Sequence, residues 1–208
     1  MGKRFGIMKN MLGYFNFHFR KVNALMIVLF ILCVIGAKLL GINDIPENSL
    51  LENTQIIVLA GGGLYCLFSK INKEYKPINI FFALIIFLLA MREISYGRVF
   101  FAQIPGTNDF YHWSHYKYGY LAHIIIGLYI AGTFVYALLK KVFIKIWEVL
   151  QKTQVPFWNV LLLLTAIPVQ MLAEKRFHST LVEEMTELLM YCLIVYMVVF
   201  YNKSLQKG

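Results

Sequence analysis

The chain has 208 residues, 59% of them hydrophobic and 15% charged, and a formal net charge of +9 from 20 Lys and Arg against 11 Asp and Glu. A soluble domain carries nearer a quarter charged residues and an apolar share below half, so a water-facing fold is excluded. The mean hydropathy of +0.63 and the gathering of apolar residues into long runs point to an all-α class: a single integral membrane domain over 1–208, a polytopic transmembrane helix bundle.

Residues 1–22 make a basic cytoplasmic segment in which Phe5, Met8, Leu12, Phe15 and Phe19 form an apolar stripe among Lys3, Arg4, Lys9, Arg20 and Lys21. That pattern suits an amphipathic helix lying on a membrane surface. The opening MGKRFG has Gly6 where a myristoylation signal needs Ser or Thr, and the first apolar run shows no small-residue cleavage site, so it reads as a retained anchor. Apolar runs then mark six spans, near 24–42, 50–69, 78–101, 118–139, 157–172 and 180–201. The second holds Gly61, Gly62 and Gly63 and is expected to bend or to pack very closely on a neighbour. Between the fourth and fifth, residues 140–153 set Lys141, Lys145, Glu148 and Lys152 on one helical side. Phe143, Ile146, Trp147 and Leu150 occupy the other, so an interfacial helix is expected there.

Lys3, Arg4, Lys9, Arg20, Lys21, Lys70, Lys73, Lys76, Lys140, Lys141, Lys145, Lys152, Lys203 and Lys207 all fall on one side if both termini are cytoplasmic. They make up 14 of the 20 cations. The basic excess therefore reports topology in a bacterial-type inner membrane, N-in and C-in, and no nucleic-acid partner is expected. Cys33, Cys66 and Cys192 lie inside apolar runs without CxxC spacing, as buried small hydrophobes rather than a redox set.

With that topology, Arg92 and Glu93 on span three, His123 on span four and Glu183, Glu184 and Glu187 on span six share the outer half of the membrane. Glu187 sits ~12 Å below the surface at ~1.5 Å per residue. Glu174, Arg176 and His178 close the same side, and Ser95, Tyr96 and Arg98 follow span three. A charge in hydrocarbon costs at least ~2.5 kcal/mol, so these groups should face the bundle interior and one another. The expectation is an outer-half polar cavity, for which Arg92, Glu93, Ser95, Tyr96, Arg98, His123, Glu174, Arg176, His178, Glu183, Glu184 and Glu187 are the candidate ligand-binding residues. A buried structural ion-pair network would use the same residues.

Glu93, Glu184 and Glu187 are the candidate acid and base groups if the cavity is catalytic. His112, His115, His123 and His178 are the candidate metal ligands, of the type that holds a divalent metal such as zinc, although HxxH at His112 and His115 reads first as an aromatic interfacial belt and only second as a metal pair. Haem is not expected, because the opposite leaflet offers no second histidine pair.

Two resemblances rest on these residues. MREISYGRVFF at 91–101, with AEKR at 173–176 and VEEMTEL at 182–188, looks like a group of small bacterial inner-membrane proteins that carry an R-E-x-S-x-G-R-x-F segment. That resemblance implies a location and no activity. FHSTL at 177–181, followed by Glu183 and Glu184, is similar to the FHxTL and acidic stretch of alkaline ceramidase and progestin-receptor-like membrane hydrolases, which implies metal-dependent hydrolysis through His178. Those hydrolases use seven spans and a late histidine pair that this chain lacks. The functions carried forward are a binding or accessory protein for a lipid head group, an ion or a partner's span; a membrane-embedded hydrolase or transferase acting on an outer-leaflet lipid; and a small-solute transporter. Membrane lipids, a membrane-protein partner or a second copy of the chain are the expected partners.

Overall fold

The computed structural model describes residues 13–39, 41–42, 49–100, 104, 111–177 and 179–206, with the side chains of 37, 98–100 and 177 excepted. The stripe residues Phe5, Met8 and Leu12, and His178, lie outside the described residues. Among the described residues seven α-helices carry the fold: α1 (Lys21–Leu39), α2 (Leu50–Phe68), α3 (Lys76–Glu93), α4 (Tyr120–Leu139), α5 (Val142–Lys152), α6 (Phe157–Leu172) and α7 (Thr180–Gln206). The fold of the described residues is all-α apart from one two-residue parallel pair, β1 (Phe15–Asn16) with β2 (Val155–Pro156).

Among the described residues four segments are long and apolar enough to cross a membrane: Leu50–Phe68, Tyr120–Leu139, Phe157–Arg176 and Thr180–Gln206. α1 offers a shorter apolar stretch, Lys21–Gly36, and α3 begins at Lys76 and ends on Arg92 and Glu93. The fifth run begins and ends as the hydropathy pattern predicts, at Phe157–Leu172. The third does not reach 101, because α3 stops at Glu93 and the chain enters a left-handed turn at Ser95, Tyr96 and Gly97, with φ of 48°, 54° and 88°. Gly97 meets that geometry without steric cost, whereas Ser95 and Tyr96 adopt it against their Cβ.

The chain divides into two compact units, one of residues 1–44 and 144–208 and the other of residues 45–143. In the first, α7 packs against both α6 and α1, and Leu181, Met185, Tyr191, Leu193 and Val198 are buried along it. α6 contains Pro168 and runs into a wide π-helical turn, Ala173–Phe177. The turn closes when the Ser179 N–H donates to the Ala173 carbonyl at 3.2 Å. α1 is tied in at its start, where Asn23 and Asn159 exchange side-chain hydrogen bonds at 3.3 and 3.2 Å. Arg20 Nη1 donates to Tyr196 Oη at 3.1 Å while its guanidinium lies 4.2 Å from the centre of the Phe200 ring. Arg20, read from sequence as a topology charge, is therefore also a clamp between α1 and α7.

In the second unit, α2 pairs with α3 and α3 with α4. Ser49 caps α2 by accepting from the Glu52 N–H at 3.3 Å, the S-x-x-E arrangement that satisfies a first-turn donor. At the other end, Lys76 donates to the carbonyls of Leu67 and Ser69, and Asn79 Nδ2 donates to the Cys66 carbonyl at 3.3 Å and to Ser69 Oγ. The α2–α3 turn thus satisfies helix-end carbonyls with side chains of the following helix.

The triple glycine leaves α2 a continuous helix and serves close packing: a Cβ on Gly63 would lie 2.8 Å from the Phe87 ring of α3, while one on Gly61 would meet nothing within 4 Å. Gly63→Leu is expected to cost about 1–3 kcal/mol through overpacking. Gly61→Ala is expected to gain roughly 0.5–1 kcal/mol from helix propensity. Thermal unfolding of both variants in one detergent checks the pair, and equal shifts would remove the Gly63–Phe87 contact as the reason for the motif.

Candidate functional site

The polar residues singled out in the sequence fall into both units. In the first, α7 carries Glu183 and Glu184, half-buried, and Glu187, which is 3% exposed. Helical spacing places Glu184, Glu187 and Tyr191 along one side, and Tyr191 is buried as well. Gln170, near the end of α6, donates from Nε2 to Glu187 Oε1. This bond crosses the α6–α7 seam and fixes the register of the two helices, since a one-turn slip would move the donor ~5.4 Å away from the carboxylate. Glu174 and Arg176 sit exposed on the π-helical turn.

In the second unit, Arg92 Nε lies 3.4 Å from Glu93 Oε1, with the Glu93 side chain 5% exposed and that of Arg92 49%. Adjacent residues on a helix do not share a face; α3 ends at this pair, and the left-handed turn through Ser95 and Tyr96 begins directly after it. Of Arg98 only the backbone is described.

The HxxH pair separates. His112 Nδ1 accepts from the Ser114 N–H at 3.3 Å and lies 3.1 Å from Ser114 Oγ, so this ring caps the short helical turn Trp113–His115. Its ring centre is 6.5 Å from that of His123 on α4. His115 instead meets Tyr111 edge-on at 5.6 Å. The two histidines brought together are thus His112 and His123, which no helical spacing links. Within either unit taken alone, the described residues gather no group of three histidine, cysteine or carboxylate ligands.

What makes the His112–His123 approach possible is Gly119. Its backbone runs so close to the Trp113 carbonyl that a Cβ there would overlap the oxygen, and Gly119 N–H donates to the Tyr116 carbonyl at 3.0 Å. The 112–119 turn therefore folds back on itself directly before α4 begins.

Sequence reasoning followed charge and passed over the buried amides. Asn23, Gln55, Asn79, Asn159 and Asn202 are all at most 2% exposed, and in an apolar bundle each must find hydrogen-bond partners at specific positions. Gln55, Asn79 and Asn159 inside the apolar runs, and Asn23 and Asn202 directly at the edges of two others, were the available signal. Comparison of the chain with protein-family models, with curated proteins and with solved structures finds no match.

Proposed function

We propose that the chain is a six-span integral membrane protein of a bacterial-type inner membrane, with both termini cytoplasmic, and that it works as a binding or accessory protein through the outer ends of its spans. α1 and α3 serve as the two spans beyond the four long apolar segments, and the lysines flanking the helices set the orientation. The observation that carries the binding role is the α6–α7 seam. A buried carboxylate, Glu187, is held there by a neutral amide, with Glu183 and Glu184 one turn nearer the helix start. Glu184 and Glu187, three residues apart on one side of α7, offer a pair of carboxylates that attracts a cationic group: the ammonium of a lipid head group, a metal ion, or a basic side chain on a partner's span.

Glu187→Gln keeps the shape and a hydrogen-bonding amide while removing the charge. The expected result is a variant that folds as the parent, judged by circular dichroism and thermal unfolding, but retains at least about tenfold less of whatever lipid, metal or protein leaves the membrane with the parent, as counted by native mass spectrometry. Ten-fold corresponds to about 1.4 kcal/mol of lost interaction. A variant that folds normally and retains the same bound species as the parent would refute the binding role. Loss of folding in Glu187→Gln would assign the carboxylate to architecture instead.

A further inference from the structure

At the opposite end of the first unit, the segment before α1 is stitched onto the α5–α6 connection. The Val155 N–H donates to the Tyr14 carbonyl at 2.8 Å, Gln154 Nε2 to the Gly13 carbonyl at 3.3 Å and Trp158 Nε1 to the Phe17 carbonyl at 2.7 Å. Phe15 and Phe17 meet the Phe157 ring at 6.0 and 4.8 Å, and Phe19 meets Trp158 edge-on at 5.4 Å. A cluster of aromatic rings joined to polar backbone is what a membrane–water boundary selects. Trp147 and Tyr14 are 62% and 51% exposed beside it.

Two cavities open at this level and share Tyr14 and Gln151 as a common wall. One, of about 310 Å³, is apolar and is bounded further by Phe15, Trp147, Leu150 and Val155. The other, of about 300 Å³, is polar and is bounded further by Gly13, Lys152, Thr153 and Gln154. An apolar chamber joined side to side with a polar one matches an amphiphile, which must bury a chain and hydrate a head group at once. The charge at this end of the unit is positive: Arg20, Lys21, Lys145, Lys152 and Lys203 stand against Glu148. Lys152, in the last turn of α5, offsets the negative end of that helix dipole and is one of the residues that bound the polar chamber.

We propose that these paired cavities bind one anionic phospholipid, with an acyl chain between Tyr14, Trp147 and Leu150 and the head-group phosphate at Lys152 and Gln154. The site is separate from the α6–α7 carboxylate seam and does not depend on it. It converts a general attraction of basic segments to acidic lipid into a defined position for one molecule.

The test is native mass spectrometry of the full chain in detergent, titrated in turn with phosphatidylglycerol, phosphatidylethanolamine and phosphatidylcholine. One phosphatidylglycerol is expected to bind about fivefold or more tightly than either zwitterionic lipid, the ratio that one well-placed lysine supplies. Lys152→Gln should abolish that preference, while Lys203→Gln, a charge at the same end outside the cavities, should change it less than twofold. Trp147→Ala, at an exposed position, should weaken all three lipids by roughly tenfold through lost apolar contact. Equal binding of the three lipids, equal effects of Lys152→Gln and Lys203→Gln, or unchanged binding in Trp147→Ala would each overturn the proposal.

Discussion

Gly119→Ala is expected to destabilise the 112–119 turn by about 3 kcal/mol, the upper end of what forced overpacking costs. The sign is what makes this substitution informative. Gly119 has φ −60° and ψ −26°, ordinary right-handed backbone, where replacing glycine by alanine otherwise gains about 0.4–1 kcal/mol by restricting the unfolded chain. A Cβ at this position overlaps the Trp113 carbonyl, and a backbone oxygen cannot swing aside as a side-chain tip can. The turn must open, taking with it the His112 cap and the approach of His112 to His123. Lys117, exposed in this turn with its ammonium 5.6 Å from the Tyr118 ring centre, gives a direct readout. Trypsin cleavage after Lys117 should accelerate on the order of a hundredfold, since each 1.4 kcal/mol is a factor of ten in the open population. Cleavage at the parent rate, or slower, would show that the close approach does not exist in solution.

The second large effect is expected at the reciprocal amide pair. Asn23 and Asn159 are 0% and 1% exposed, and each single change to Ala leaves the partner amide buried with a lost hydrogen bond, at about 1–3 kcal/mol. Asn23→Ala with Asn159→Ala together removes both halves, so the double variant should cost less than the sum of the singles. The coupling should fall within roughly 0.6–1.7 kcal/mol, the range of side-chain hydrogen bonds in membrane bundles. Thermal unfolding of the four proteins in one detergent measures it. Strict additivity would mean that the two amides do not bond to each other.

These two sites lie beyond what the sequence pattern makes readable. Runs of apolar residues located the helices because a segment able to cross a membrane needs length and apolarity and little else: Leu50–Phe68 and Phe157–Leu172 begin at the expected residues. The end of α3 escaped the same logic. Ile94, Val99 and Phe100 kept the hydropathy high, while the change of backbone hand at Ser95 to Gly97 leaves hydropathy untouched. α7 was expected to stop at 201 and extends to Gln206, because a helix end that leaves the apolar layer can continue in polar residues. Glu187 was marked by its charge, but its bond to Gln170 depends on how α6 and α7 slide against each other, which periodicity within one helix does not encode. The Asn23–Asn159 pair spans 136 positions and was invisible for the same reason. His112 and His123 meet only because Gly119 permits a backbone approach that no spacing rule contains.

The single turn of chain joining α6 to α7 bears on how the protein is made. If α6 and α7 are spans, as proposed above, chain order delivers Gln170 to the membrane before Glu187, and the Ala173–Ser179 closure lets the two helices enter as one hairpin. A lone carboxylate near the middle of an inserting helix meets a barrier of about 2.5–3.5 kcal/mol on the translocon scale. Here the hydrogen-bond donor is already waiting on the preceding helix. On the six-span reading proposed above, Gln170 would then escort the buried carboxylate of this unit into the membrane, lowering its entry cost before the remaining contacts of the fold exist.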